Sequence, residues 1–263
     1  FTSVTTGSIN LVAFSFGETF VNEGDEIIVS ESEHHSNIVP WQMLCQRKGA
    51  VLRVLHVDED GHLNLEELKS LLNPKTRIVA VTQISNVLGI LNPVKEIVSV
   101  CHSAGCPVLI DGAQGMVHEG VDVQDVDCDF YAFSGHKLYA ATGTGVLYGK
   151  RKWLDQMVPY QGGGEMISTV RFSGTTYAPL PEKFEAGTQN INAIPTLEPA
   201  IEMLKLMKDK ELLNAQEAVS QYLLHALTSN PRVRLYGVPR GTETKIPLFS
   251  FSVEGAHHED LAL

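Results

Sequence analysis

Short runs of mostly β-branched residues recur along the first half of the chain, and segments with helical periodicity separate them. The runs are EIIVS (26–30), VLRVLHV (51–57), RIVAVTQIS (77–85) and PVLIDGA (107–113). Helical patterns lie at 36–48, at 64–72 with Asn64 as its cap, and at 93–104. Because parallel strands need a helical crossover, this alternation predicts buried strands in a mainly parallel sheet with helices on both faces.

The remainder of the chain has a different pattern. CDFYAFS (128–134) and TGVLYG (144–149) lie too close together for a helical crossover, so they predict an antiparallel or mixed pair. Periodicity lapses from 162 to about 193, and a loop of that length is usually functional or part of an interface. A helix at 194–228, broken near 209–214, precedes the predicted strands VRLYG and IPLFSFSVE. We therefore expect a large α/β domain at 1–205 and the start of a small α+β domain at 206–263.

Composition excludes several classes of partner. The net charge of −11 makes nucleic acid and anionic membranes unsuitable partners, and no apolar run approaches the ~20 residues that a membrane span needs. The chain begins at Phe1 within what resembles a helix entry and ends in HHEDLAL, the pattern of a helix start. We therefore expect a fragment truncated at both ends.

The cysteines indicate a reducing compartment. They show no CxxC or other zinc-ligand spacing, so each is interpreted as a small buried residue: Cys45, Cys101, Cys106 and Cys128. Glu33, His34 and His35 are adjacent, but no metal site is predicted there. With no signal-peptide pattern and no N-glycosylation sequon, the chain is expected in the cytoplasm, or in an organelle matrix or stroma if a transit peptide has been removed.

Polar residues follow each of the predicted strands. They are Glu33, His34 and His35 after the first run, Ser85 and Asn86 after the third, Asp111 and Gln114 after the fourth, and Ser134, His136 and Lys137 after the fifth. Because the carboxyl ends of parallel strands meet at one edge, where open sheets bind ligands, we expect a single site there. Thr5, Thr6 and Gly7 open the first helix, whose N-terminal N–H groups favour a bound anion.

This set of groups fits pyridoxal phosphate. A lysine amine, with an ordinary pKa of about 10.4, becomes a useful nucleophile when it is desolvated or bonded as a Schiff base, and Lys137 lies between apolar residues. A buried carboxylate keeps the cofactor's pyridine nitrogen protonated, and Asp111 follows the apolar run PVLI. Gln114 can donate to the phenolate oxygen, and His34 can lie flat on the ring. The alternatives are a turn aspartate at 111 and an ordinary surface lysine at 137.

Seven segments together identify a family resemblance: TTGSINLV, SEHHSNIVPWQ, SNVLG, DGAQ, DCDFYAFSGHKLY, GGGEMI and FEAGT. They resemble the SufS-type cysteine desulfurases, also described as selenocysteine lyases, which are aspartate-aminotransferase-like (fold-type I) pyridoxal phosphate enzymes. The resemblance extends from residue 1 to about 205. It implies that Lys137 is the Schiff-base lysine, Asp111 the partner of the pyridine nitrogen, Gln114 the phenolate contact and His34 the ring-stacking proton carrier.

The resemblance also implies how the phosphate and the substrate are bound. The positions that match phosphate contacts are Thr6, Ser134 and His136. Gly7-Ser8 departs from the family pattern, but Gly7 is still expected to donate its backbone N–H to the cofactor. Thr188 of FEAGT is similar to a threonine that reaches the phosphate of the neighbouring subunit, which implies a homodimer. Asn86 matches a residue near the cofactor oxygen and the substrate carboxylate.

The activity that the resemblance implies is the conversion of L-cysteine, or L-selenocysteine, to L-alanine. The persulfide sulfur then passes to an acceptor protein that feeds iron–sulfur cluster assembly. The family's sulfur-accepting cysteine and its substrate-carboxylate arginine lie beyond residue 263, and none of the four cysteines here matches the former. The chain is therefore expected to bind the cofactor but not to desulfurate. The alternatives for the whole protein are a related aminotransferase or a β-eliminating lyase.

Overall fold

A computed structural model describes residues 1–209, 214–237 and 245–261. The strands are β1 (Glu26–Ser30), β2 (Val51–Leu55), β3 (Thr76–Thr82), β4 (Val108–Asp111), β5 (Phe130–Ser134), β6 (Gly145–Gly149), β7 (Ile167–Arg171), β8 (Gly174–Tyr177), β9 (Val233–Tyr236) and β10 (Ser250–Val253). The helices are α1 (Thr5–Phe20), α2 (Val39–Lys48), α3 (Leu65–Leu71), α4 (Val94–Ser103), α5 (Gly115–His118), α6 (Val123–Val126), α7 (Arg151–Leu154), α8 (Leu197–Asp209), α9 (Asn214–Thr228) and α10 (His258–Leu261).

The central element is a six-stranded sheet with the order β2-β1-β3-β4-β5-β6. Each neighbouring pair is parallel except β5 and β6, which are antiparallel. The predicted mainly parallel sheet, with an antiparallel pair at its end, is thus confirmed. Its carboxyl edge carries the ends of β1, β3, β4 and β5.

Both faces of this sheet are buried. Ile27 and Leu109 belong to one apolar cluster, which α1 and α2 cover, whereas Ile28 and Ile110 belong to a second, which α3 and α4 cover. Neighbouring strand residues point to opposite faces, so a strand between two helix layers must be apolar throughout. Each fully buried side chain of this size contributes about 1.5–3 kcal/mol through burial. The helices on both faces confirm the α/β class.

Local signals in the helices agree with the sequence. The Asn64 side chain accepts hydrogen bonds from the backbone N–H groups of Glu66 and Glu67, at 3.0 and 3.2 Å, and so caps α3 as predicted. One expectation was wrong: β2 is not a buried strand. It lies at the sheet edge, and the side chains of Val51 and Val54 remain 40% and 39% exposed because a strand follows it on one side only.

The stretch predicted as a loop contains an antiparallel hairpin of β7 and β8. Almost all of its side chains are exposed, so neither face had to be apolar and no alternating pattern marks it in the sequence. That part of the loop prediction was wrong.

The C-terminal part contains α8, α9 and a separate antiparallel pair of β9 and β10. The predicted helix break falls on residues outside those described, between the end of α8 and the start of α9. The domain boundary at 205 falls within α8 and stays a prediction. No described helix combines the length and the apolar composition that a bilayer crossing requires.

Candidate active site

A cavity of about 200 Å³ lies at the carboxyl edge of the sheet. The sequence predicted a site at this edge, and the cavity is lined by most of the predicted residues: Thr6, His34, Asn86, Asp111, Gln114, Ser134, His136 and Lys137. They come from the start of α1 and from the segments after β1, β3, β4 and β5. Parallel strands whose ends meet at one edge therefore bring together residues that lie more than a hundred positions apart in the sequence.

Two predicted site residues lie elsewhere. Gly7 and Thr188 line a neighbouring cavity of about 260 Å³, which also contacts Phe1 and Gly143. Gly7 belongs to the first turn of α1 and directly follows Thr6, which lines the first cavity. Thr188 is exposed, and its predicted role concerns a second subunit, so that role stays a prediction.

Asp111 is the last residue of β4 and is only 2% exposed. Its Oδ1 accepts a hydrogen bond from the Ala113 N–H at 2.9 Å. Burial raises the pKa of this carboxyl group, against the opposing effects of that hydrogen bond and of the charge on Lys137. Among the residues described, no cationic side chain forms an ion pair with it. A cationic nitrogen in the cavity would supply the missing partner.

The turn that carries Asp111 and Gln114 rests on two side chains that the sequence analysis missed. The Tyr131 hydroxyl donates to Gln83 Oε1 at 2.5 Å. A Cβ on Gly112 would lie 2.1 Å from Tyr131 Cζ, and a Cβ on Gly115 would lie 2.1 Å from Gln83 Oε1. Only glycine fits at either position. The two glycines that flank the alanine and glutamine of this turn were the sequence signal of such a close approach.

The N-terminus of α1 closes another side of the cavity. The Thr5 N–H donates to Ser134 Oγ at 2.7 Å, and the two hydroxyl groups are 2.6 Å apart, so the end of β5 is joined to the start of α1. The first turn of α1 contains no acidic side chain and its N-cap makes no side-chain hydrogen bond. The first N–H groups of a helix have no intrahelical partner, so this end suits an anion. The sequence predicts Ser134 as a ligand, but no pattern in it indicates the link to Thr5.

Lys137 lies in the single turn Gly135–Leu138 that follows β5, and its side chain is half-buried. A Cβ on Gly135 would lie 2.2 Å from Thr144 Oγ1, so the turn packs tightly against the chain before β6. Within the described part of the chain, the Lys137 amine makes no hydrogen bond or ion pair. It faces the same cavity as Asp111, as the sequence predicted, and is available to a ligand.

His34 follows β1 as the cap of the single turn His35–Asn37 and is exposed to the cavity. Its Nδ1 accepts from the Ser36 N–H at 3.1 Å and lies 2.8 Å from Ser36 Oγ. Because an N–H group only donates, Nδ1 is the acceptor nitrogen and the neutral ring carries its proton on Nε2. Across the ranges described, no three His, Cys, Asp or Glu side chains are arranged to hold a metal ion.

The four cysteines are buried and free, as predicted, and none lines the cavity. Burial raises the pKa of Cys101 and Cys128 to about 12, and raises that of Cys45 and Cys106 as well. A thiol with so high a pKa is protonated at neutral pH and is a poor nucleophile. The described residues therefore place no reactive thiol at this site.

Curated relatives share much of the sequence. A cysteine desulfurase of Enterobacter sp. (strain 638) is 49% identical over 255 residues, which are 97% of this chain and 62% of that protein. A cysteine desulfurase of Pectobacterium atrosepticum is 51% identical over 234 residues, which are 89% of this chain and 58% of that protein. The chain thus spans about six tenths of the length of these relatives.

Solved structures share the fold. The crystal structure of the cysteine desulfurase CsdA (S-sulfonic acid) from Escherichia coli matches with a TM-score of 0.89 and 41% identity, over 99% of this chain and 64% of that one. The apo structure of a cysteine desulfurase from Thermococcus onnurineus NA1 matches with a TM-score of 0.91 and 33% identity, over the same shares. The family model described as aminotransferase class V matches residues 1–263, and the chain belongs to the aminotransferase class-V family.

Proposed function

We propose that this chain carries the cofactor site of a pyridoxal phosphate-dependent cysteine desulfurase. The observation that carries the proposal is the shared cavity of Lys137 and Asp111, with an amine and a buried carboxyl that both lack a side-chain partner among the described residues. The relatives reported above are named cysteine desulfurases, which favours this activity over an aminotransferase or a β-eliminating lyase.

The residues of the cavity fit pyridoxal phosphate. The Asp111 carboxyl needs a cation and the pyridinium nitrogen is one, so each would stabilise the charge of the other. The backbone N–H groups of Thr6 and Gly7 at the start of α1, with the side chains of Thr6 and His136, fit the phosphate. Gln114 lies three residues after Asp111 and lines the same cavity, where its amide would donate to the phenolate oxygen.

Each of these side chains has a chemical task in the proposed reaction. The Lys137 amine would anchor the cofactor through its aldehyde group and, when free, would take the proton from Cα of the substrate. Asp111 holds the proton on the pyridine nitrogen. His34 would cover the ring with its Nε2–H free to donate, and Asn86 would lie near the substrate carboxylate. When bound, pyridoxal phosphate supplies the electron-withdrawing ring that stabilises negative charge at Cα.

The finer parts of the proposal concern the whole protein. L-Cysteine, or L-selenocysteine, is converted to L-alanine, and sulfur moves as a persulfide to an acceptor protein for iron–sulfur cluster assembly. Since no cysteine reaches the cavity, we place the sulfur-accepting thiol outside the 263 residues and expect this chain alone to bind cofactor without desulfurating. We also propose a homodimer, in which the exposed Thr188 completes the partner's site, in a cytoplasmic compartment.

The test is the attachment of the cofactor. After addition of pyridoxal phosphate, a visible absorbance band should form, and borohydride reduction followed by peptide mass mapping should place the adduct on Lys137. Lys137→Ala should abolish both, while Lys75→Ala, at an exposed lysine away from the cavity, should change neither. Attachment at any other lysine would overturn the proposal. Alanine formed from L-cysteine by this chain alone would refute the placement of the thiol.

A further inference from the structure

The proposed mechanism leaves one buried carboxyl group at the site unused. Glu33 follows β1, directly precedes His34, and is only 8% exposed. Its Oε1 accepts from the Thr82 N–H at 2.8 Å and contacts the Ser30 hydroxyl. Its Oε2 accepts from Asn37 Nδ2 at 2.7 Å. One side chain therefore joins the turn after β1 to the end of β3.

The donors around Glu33 cannot be exchanged for acceptors. The Thr82 N–H is a backbone group and only donates. The Asn37 amide is fixed in its orientation, because its Oδ1 accepts from Nε1–H of the fully buried Trp41 at 2.9 Å. Nδ2 of Asn37 must then point at Glu33. Two fixed donors require two acceptor oxygens at position 33.

The carboxyl group meets this requirement in either protonation state. Burial raises the pKa of Glu33 to about 8, although its three hydrogen-bonding neighbours oppose the shift. When Glu33 is neutral, it can donate its proton to Ser30 Oγ, and Ser30 then donates to Ser32 Oγ at 3.0 Å. The two carboxyl oxygens still accept from Thr82 and Asn37. An amide at this position cannot do the same, because its nitrogen only donates.

The turn that Glu33 fastens is the one that carries His34. The Asn37 N–H donates to the His34 carbonyl oxygen at 2.8 Å, so the residue that holds Glu33 also closes the His34 turn. Thr82, at the other end of the link, lines the same cavity as His34. The His34 ring itself has only Ser36 as a hydrogen-bonding partner among the described residues. Its place at the cavity therefore depends on the backbone of this turn.

We propose that Glu33 is the positioning residue of His34: its carboxyl group holds the turn after β1 against the end of β3 and so keeps the imidazole over the cofactor ring. The inference rests on the proposed function only for what the imidazole covers. The link between Glu33 and the placement of His34 holds with or without a bound cofactor.

The test compares Glu33→Gln with Glu31→Gln. Glu31 lies on the same segment, is exposed, and accepts a single hydrogen bond from the Val57 N–H at 3.2 Å. Glu33→Gln should weaken pyridoxal phosphate binding about tenfold and alter the visible circular dichroism of the bound cofactor, since one buried donor loses its acceptor. Glu31→Gln should stay within about twofold of the unmodified chain. Equal affinity and equal circular dichroism in both variants would overturn the proposal.

A second measurement needs no cofactor. Nitrogen-15 NMR of the cofactor-free chain should show His34 as a single Nε2–H tautomer, and Glu33→Gln should average the two ring nitrogens while far-UV circular dichroism confirms that the variant is folded. An unchanged His34 spectrum in folded Glu33→Gln would refute the positioning role. If the unmodified chain binds no cofactor at Lys137, the proposed function fails, but this spectrum still decides on Glu33.

Trp41→Phe provides a rescue. Without the indole N–H, the Asn37 amide is free to turn and present its oxygen to the new amide at position 33. In the Trp41→Phe background, Glu33→Gln should therefore cost about twofold in cofactor affinity instead of tenfold, and the cost of the smaller ring cancels in the double-mutant cycle. The same loss in both backgrounds would show that Trp41 does not fix the donor at Glu33.

Discussion

Two buried aspartates, Asp111 and Asp129, lie at opposite edges of the same sheet and differ in their partners. Asp129, just before β5, accepts from His102 Nε2 and Trp153 Nε1, each at 2.7 Å, and from the Val108 N–H at 3.0 Å. Burial acts to raise its pKa, but these hydrogen bonds together with the charge of Lys150 outweigh burial and hold the pKa below its usual value. Asp111 accepts from one backbone N–H, and burial raises its pKa.

The difference separates a structural carboxylate from a binding one. Burial disfavours the charged form of both groups, so the hydrogen-bond donors and the ion pairs with Lys150 and Lys152, which among the described residues only Asp129 has, decide the sign of the pKa shift. At the amino edge the fold itself supplies the donors. At the carboxyl edge it leaves the carboxyl facing a cavity, which is the arrangement expected of a group whose partner is a ligand. Asp111→Asn should therefore weaken cofactor binding without lowering stability, whereas Asp129→Asn should lower stability without weakening cofactor binding.

The largest expected effect is that of Asp111→Asn on cofactor binding. The asparagine oxygen keeps the hydrogen bond from Ala113 but loses the charge that pairs with the pyridinium nitrogen, so affinity for pyridoxal phosphate should fall by roughly a hundredfold or more. The free energy of unfolding of the cofactor-free chain should not decrease, because a buried charge without a partner is removed. Cofactor titration and urea unfolding measure the two quantities. A large loss of stability would make Asp111 a structural residue like Asp129.

Asp129→Asn should have the reverse outcome. The donors on His102, Trp153 and Val108 point at both oxygens of Asp129, so the amide nitrogen of asparagine would face at least one of them in a buried site. Because two donors cannot bond to each other, the free energy of unfolding should drop by about 3 kcal/mol. Cofactor affinity of the folded variant should stay close to that of the unmodified chain, because Asp129 is at the other edge of the sheet. The measurement is urea unfolding, in which the dependence of the free energy of unfolding on urea concentration should be the same as for the unmodified chain. A loss below about 1 kcal/mol would mean that the donors contribute little.

The comparison also shows what the sequence could and could not predict. Asp111 and Lys137 were located because apolar runs mark strands and a parallel sheet brings the ends of its strands to one edge. The partners of Asp129 were not, since His102 and Trp153 lie 27 and 24 residues away and no spacing rule relates them. Glu33 was expected at the carboxyl edge, but its hydrogen-bonding partners were not predicted, because its donor Thr82 is 49 residues distant. Folding creates such donor sets, so the strand pattern does not contain them.

The smallest expected effect, when measured over a single pH unit, is a pH dependence of stability that has opposite signs at the two edges, with Glu33 and Asp129 as the titrating groups. Burial raises the pKa of Glu33 from 4.5 to about 8, so the folded chain binds a proton that the unfolded chain has released, and the Glu33 contribution to stability should decline as the pH rises from 4.5 to 8. The pKa of Asp129 is lowered from 3.8, so its contribution is present above that value and is lost as the pH falls through the folded-state pKa.

For one proton, the free energy of unfolding changes by at most about 1.4 kcal/mol per pH unit. Urea unfolding between pH 3 and pH 9 would resolve both parts of the curve, the acid limb due to Asp129 and the neutral limb due to Glu33. Glu33→Gln should flatten the neutral limb and leave the acid limb, while Asp129→Asn should do the opposite. If Glu33→Gln left the slope between pH 5 and pH 8 unchanged, Glu33 would be ionised throughout that range. The carboxyl edge would then hold a stable negative charge at Glu33, and the contrast between the two edges would rest on Asp111 alone.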